Sequence, residues 1–159
     1  MLNALLSPDQ RWIAAGCQDA TVHIWDTIAG EDMAMRGFPT KVRALGWSKR
    51  GPCLATAGGS QLSLWNFAGS GPAGKRGEPL RGHQGKVTAL AWIPKGDWLL
   101  STSDDGELFA WHHRDGEGPE PLEDVPLALE GLSVSPDGAH VVLATEKGGL
   151  LGLSLDVLS

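Results

Sequence analysis

Residues 81–113 read RGHQGKVTALAWIPKGDWLLSTSDDGELFAWHH, and the punctuation of this stretch decides the fold. Three strand-like runs, 87–92, 98–103 and 108–112, are rich in apolar and β-branched side chains. Short segments with turn chemistry separate them, Pro94-Lys95-Gly96-Asp97 first and Asp104-Asp105-Gly106 second. Pro presets one turn dihedral, Gly supplies positive φ and Asp hydrogen-bonds its own backbone, so each break has a mechanism. A Gly82-His83 dipeptide precedes the first run and Trp111 closes the third.

The stretch has a copy upstream. Residues 36–51, RGFPTKVRALGWSKRG, match residues 81–96 at eight of sixteen positions at a constant offset of 45. Trp25, Trp65 and Trp111 mark the ends of third strands, 40 and 46 residues apart. Period, turns and strand pattern agree, and together the segment resembles one repeat of the WD-repeat family of β-propellers, whose period is about 40–45 residues. The expected fold is therefore all-β, a propeller of four-stranded antiparallel blades. The chain divides into about four units, approximately 1–37, 38–82, 83–126 and 127–159, with the first and last incomplete.

The resemblance implies a hydrogen-bonded relay inside one blade through His83, Ser101 (or Ser103, on the same strand face), Asp105 and Trp111. The chemistry suits it: an indole N–H only donates, a hydroxyl accepts and passes on, and an imidazole links hydroxyl to carboxylate. Such a buried network stabilises when every member is paired. Ser101, His83 and Asp105 also have the composition of a hydrolase triad, but triads are defined by geometry. Ser101 lies inside a strand-like run with no Gly-x-Ser-x-Gly elbow to expose it, so the structural role is preferred.

The other units carry less of the relay. The first has strands at 2–6, 12–17, 21–26 and 31–37, with Asp19 and Trp25 in place but Ala15 where Ser101 stands. The second, at 42–48, 53–57, 61–67 and 78–81, keeps Thr56 and Trp65. Phe38 replaces its His, and its Asp is deleted at Gly58-Gly59-Ser60. The third unit adds a weak acidic outer strand at 119–125. The fourth, at 129–134, 141–145 and 150–155, repeats the Ser-Pro-Asp turn of residues 7–9 at 135–137. It has Lys147 and Leu153 at the Asp and Trp positions. The connector 68–77, AGSGPAGKRG, reads as a mobile surface loop, since a phosphate-binding loop needs a strand entering and a helix leaving.

Composition narrows the function classes. The 159 residues fit one domain, and 22 Gly with 10 Pro suit a turn-rich β protein. A net charge of −6 argues against general nucleic-acid binding, and Lys75, Arg76 and Arg81 read as solvated surface. Cys17 and Cys53 form no Cys-x-x-Cys pair and read as free thiols in a reducing compartment. His112 and His113 are adjacent on a strand and point to opposite faces, while His23 and His140 are remote, so no zinc site is expected. No stretch has the character of an export signal or a membrane span, and a cytoplasmic location is expected.

The expected function is that of a non-catalytic scaffold binding a protein or peptide partner, with no catalytic residues, metal or cofactor. The resemblance implies one end of the ring as the binding face, collecting Phe38, Lys41, Gln84, Lys86, Asp104 and Lys147. Phe38 is expected to pack where a relay His would sit. Four blades would each have to turn a ring by about 90°, the lower limit of the usual range. Self-association of two copies into an eight-bladed ring is therefore expected. The alternatives are a piece of a longer propeller protein, and a small-molecule or hydrolase site on one face.

Overall fold

A computed structural model describes residues 1–113 and 118–158 as fifteen β-strands and one 3₁₀ turn at Asp156–Leu158. Four antiparallel sheets follow in chain order, each a meander of sequence-adjacent strands. The first holds β1 (Asn3–Leu6), β2 (Trp12–Gly16), β3 (Val22–Asp26) and β4 (Glu31–Met35). The second holds β5 (Val42–Trp47), β6 (Cys53–Gly58), β7 (Gln61–Asn66) and β8 (Glu78–Leu80). The third holds β9 (Val87–Trp92), β10 (Trp98–Ser103), β11 (Glu107–His112) and β12 (Glu120–Asp124). The fourth has three strands, β13 (Leu129–Val134), β14 (His140–Thr145) and β15 (Leu150–Ser154). The first sheet, expected to be incomplete, has all four strands. The 3₁₀ turn follows the expected last strand, 150–155, and was not foreseen in the sequence.

Short turns set the register. Ser7 donates its hydroxyl to Asp9 at 2.5 Å and accepts the Trp12 amide at 2.9 Å. Ser135 repeats this with Asp137 at 2.5 Å and His140 at 3.0 Å. Asp26, of the Trp25-Asp26 pair, accepts the amides of Ile28 and Ala29 and an ion pair from Arg11 at 3.0 Å. These bonds hold its carboxyl below the usual carboxylate range, the turn amide of Ala29 contributing most. The connector 68–77 is fastened at both ends. The Lys75 ammonium donates to the carbonyls of Asn66 and Ala68, and Gly71 is buried against the Trp12 ring.

The second strands of the first three blades are buried on both faces, β6 at every position and β10 at all but its first, whereas β14 in the fourth sheet exposes one face. Outer strands are mostly exposed. The buried side chains fall into three clusters, each between consecutive blades. Trp12, Val22 and Ile24 meet Val42, Trp47 and Phe67; Ala55, Leu62 and Leu64 meet Val87, Trp92 and Leu99; Leu100 and Leu108 meet Leu129, Val141 and Leu143. Two indoles stitch the seams, Trp47 donating to the Leu5 carbonyl at 3.3 Å and Trp92, 45 residues later, to that of Gly46 at 3.0 Å. No comparable cluster joins the fourth sheet to the first among the described residues, so the blades form an open arc.

The turn between second and third strands exposes a difference among blades. Gly106 and Gly148 hold φ of 97° and 78°, and Ala20, in the same place in the first blade, is held at 60°. A Cβ on Gly106 would also lie 1.8 Å from the Val125 carbonyl oxygen. Gly106→Ala is expected to destabilise the protein by about 2–3 kcal/mol. Ala20→Gly, which relieves a left-handed alanine, is expected to be neutral or to stabilise by up to about 1 kcal/mol. Urea midpoints of the two variants check both, and losses of similar size would refute this account of the turn.

Candidate functional site

The polar centre of the molecule lies in the third blade. β10 presents Ser101, β11 presents Trp111 on the facing strand, and the loop entering β9 delivers His83 between them. Trp111 Nε1 donates to Ser101 Oγ at 2.7 Å, and Ser101 lies 2.6 Å from His83 Nε2. On the other side of the ring, His83 Nδ1 lies 3.1 Å from Glu107 Oε2. Phe109 stacks on the imidazole at 4.4 Å. Gly82 lets the chain pass, because a Cβ there would come within 2.5 Å of Pro119 and 2.9 Å of the Trp111 ring.

Burial pulls the pKa of His83 below its ordinary value, outweighing the Glu107 carboxylate, which acts in the opposite sense. The His83–Glu107 contact is therefore a hydrogen bond of a neutral ring, although its geometry would also suit an ion pair. The network assigns the proton to Nδ1, which donates to Glu107, while Nε2 accepts from Ser101, whose oxygen accepts from Trp111. Every member is satisfied.

One detail differs from the sequence reading, and one choice it left between two serines is resolved in favour of the first. The carboxylate bonded to His83 is Glu107, whereas Asp105 receives the hydroxyl of Ser103. The reason is reach: Glu107 follows the turn on the first residue of β11 and its longer side chain folds back to the ring, while Asp105 is held beside Ser103. Glu107 stands where Thr21 stands in the first blade, and that correspondence was the available signal for it. Ser101, not Ser103, is the hydroxyl of the relay. It is fully buried, so its oxygen cannot meet a substrate as a hydrolase nucleophile must.

Elsewhere the relay is cut short by missing partners. In the second blade Trp65 donates to Thr56 at 3.0 Å, Thr56 donates to the Ser63 carbonyl at 3.4 Å, and Phe38 packs 5.8 Å from the Trp65 ring. In the first blade Ala15 offers no hydroxyl, Trp25 stacks on His23 at 5.8 Å, and Asp19 accepts the Thr21 hydroxyl at 2.7 Å. His112 and His113 part company, one against Trp98 and the other against Trp92. Cys17 and Cys53 are free thiols, and burial pushes that of Cys53 up to about 11.

The residues expected on one binding face are divided between two hollows. Lys41, Lys86 and Asp104 line a recess of about 310 Å³ at one end of β5, β9 and β13, joined by Arg43 and Glu130, which the sequence reading missed. Asp104 there accepts the Lys86 amide at 2.6 Å. Phe38 lies apart, in a lateral groove between the first and second blades. Gln84 and Lys147 are exposed outside both linings.

Comparison with known proteins follows this geometry. The family model described as "WD domain, G-beta repeat" matches residues 2–26 and 74–112, the second range containing the whole relay. The chain belongs to the WD-repeat β-propeller family. It is 30% identical over 119 residues to THO complex subunit 3 of Arabidopsis thaliana, covering 72% of this chain and 37% of that protein. It is 29% identical over 163 aligned positions to Protein HIR1 of Cryptococcus neoformans, covering 87% of this chain and 18% of that one. Among solved structures, a chain of the Mitotic Checkpoint Complex superposes with a TM-score of 0.81 at 24% identity, over 97% of this chain and 48% of that chain. The Cps50 (Swd1) β-propeller domain of Myceliophteria thermophila gives 0.80 at 21% identity, over 97% and 51%. The WD-repeat chain thus spans about half of the propellers it resembles in shape.

The relay makes a pH prediction. A His with a depressed folded pKa binds fewer protons folded than unfolded, so its neutral-ring stabilisation is present above the unfolded value near 6.5 and is lost as pH falls below it. His83→Asn is expected to destabilise by about 1–3 kcal/mol at neutral pH and to flatten the loss seen in the wild type between pH ~7 and ~5. Urea melts of both proteins across that range decide it, and parallel pH profiles would show that His83 does not titrate with folding.

Proposed function

We propose that this WD-repeat chain is a non-catalytic protein-interaction scaffold that works as half of a ring, its open ends covered by further blades. The observation that carries this is the placement of exposed apolar side chains. Among the described residues, the exposed large hydrophobics are Met1, Leu2, Leu5, Leu6 and Ile28 in the first blade and Val142, Leu150 and Leu151 in the fourth. The two middle blades have none. Apolar surface gathered at two places on a soluble protein marks contact sites. Among the described residues no strand pairs with the outer edge of β15, a second unsatisfied feature at one of them.

The occupant of the ends has two readings. In one, a second copy joins head to tail, because the two bare faces differ and such a contact closes only when the rotation does. In the other, the covering blades belong to a longer polypeptide, which the chain's coverage of about half of its structural neighbours favours. Relatives that carry assembly names, THO complex subunit 3 and Anaphase-promoting complex subunit cdh1 of Dictyostelium discoideum, support a role within a complex. The proposal places the protein in a reducing compartment such as the cytoplasm, which the two free thiols suit. The recess of Lys41, Arg43 and Lys86 is the proposed docking point for partners at the ring end.

Light scattering on a size-exclusion column at micromolar concentration tests the half-ring. A dimer dispersed to monomers by Leu6→Glu or Leu150→Glu supports the first reading. A soluble species obtained only when further blades are supplied in the same polypeptide supports the second. A monodisperse monomer with a cooperative melt, unaltered by either substitution, overturns both.

A further inference from the structure

The lateral groove between the first and second blades has a volume of about 690 Å³, and nothing above assigns it a role. Apolar side chains, Met33, Met35, Phe38 and Trp65, line it beside the polar Gln61 and Ser63, the two Met lying on one face of β4. Its rim is basic. Arg36, Lys75 and Arg76 line it and no carboxylate does, in a chain whose net charge is −6. Among the described residues, none of these three cations forms an ion pair. Lys75 is held in place by the carbonyls of Asn66 and Ala68, so its charge is positioned and not neutralised.

The backbone offers a further feature. β4 is the outermost strand of its sheet, and no other segment pairs with its free edge among the described residues. An extended peptide can add to such an edge through main-chain hydrogen bonds, with alternate side chains entering pockets beside it. Arg forks carboxylates in a bidentate geometry that Lys cannot match.

We infer that this groove binds an extended acidic segment of a partner protein, an apolar side chain of that segment seated on Met33, Phe38 and Trp65 and its carboxylates on Arg36 and Arg76. The inference rests on the reading of the chain as a protein-binding scaffold, but on a surface separate from the ring-end recess and from the bare end faces. Each exposed requirement has a matching element: the edge selects extended backbone, the floor an apolar anchor and the rim negative charge.

The probe is a fluorescein-labelled peptide alternating Glu or Asp with Leu, followed by anisotropy on the whole chain at low and moderate salt. Two companions accompany it, one with Gln and Asn for the acids and one with Ala for Leu. The alternating acidic peptide is expected to bind, to weaken with salt, and to lose about tenfold or more in affinity when either companion replaces it. Arg36→Glu with Arg76→Glu is expected to produce a similar loss with an unchanged urea midpoint. Lys49→Glu with Lys95→Glu, a reversal of equal charge elsewhere, is expected to leave binding intact. No binding of the acidic probe overturns the inference, as does equal loss from both double reversals. Loss confined to Lys41→Glu with Lys86→Glu overturns it too, moving the acidic segment to the ring end while the scaffold reading stands.

Discussion

Each blade of this protein has two faces that water disfavours, and the architecture follows from the need to cover them. A strand such as β6, buried at every position, cannot belong to a sheet with one wet face. Stacking blades side by side solves the problem for every interior face, and the three apolar clusters are those solutions. It leaves one face uncovered at each end of the arc, where the exposed leucines collect. Both the cohesion of the middle blades and the demand for further blades come from that one constraint.

Polar interactions refine what burial has arranged. Between blades, the indoles of Trp47 and Trp92 reach the carbonyls of the preceding inner strands, fixing how far one blade slides along the next. Within the third blade, the chain from Trp111 through Ser101 and His83 to Glu107 ties an entering loop to two strands. A relay of this kind tolerates no half measures, since a buried polar group without its partner costs more than its bond returns. The second blade shows the alternative: with no His, Phe38 fills the place by packing and the Thr56 hydroxyl turns to a backbone carbonyl. Apolar contact can replace the relay in a blade, at the expense of the directional hold on its loop.

The surfaces left for recognition follow from the same construction. Loops at the ends of the inner strands meet around one recess, where Lys41, Arg43 and Lys86 face Asp104 and Glu130. Among the described residues no further strand covers the outer strands, and lateral grooves are left beside the inter-blade cores. The groove beside β4 is basic because the connector carrying Lys75 and Arg76 is folded back and fastened there. In sequence those cations look like ordinary solvated surface; folding sets them beside Arg36, some forty positions away.

The repeat was written in the chain itself: the offset of 45, the Trp spacing and the turn residues determined the number of units and the strands within them, and the family resemblance they carry implied His83, Ser101 and Trp111 as members of the relay. Those features are local or periodic, and a period survives in one dimension. The choice of Glu107 over Asp105 was not legible, because it depends on which carboxylate can reach a ring delivered from 24 residues earlier. Nor was the separation of Phe38 from Lys41 and Lys86, which are close in the repeat but lie in different hollows once the blades are set at an angle. The openness of the arc was likewise decided in three dimensions. Local pattern specifies a blade and the face it must bury, but whether the last face meets the first depends on the accumulated rotation of all the blades, a property no single repeat contains.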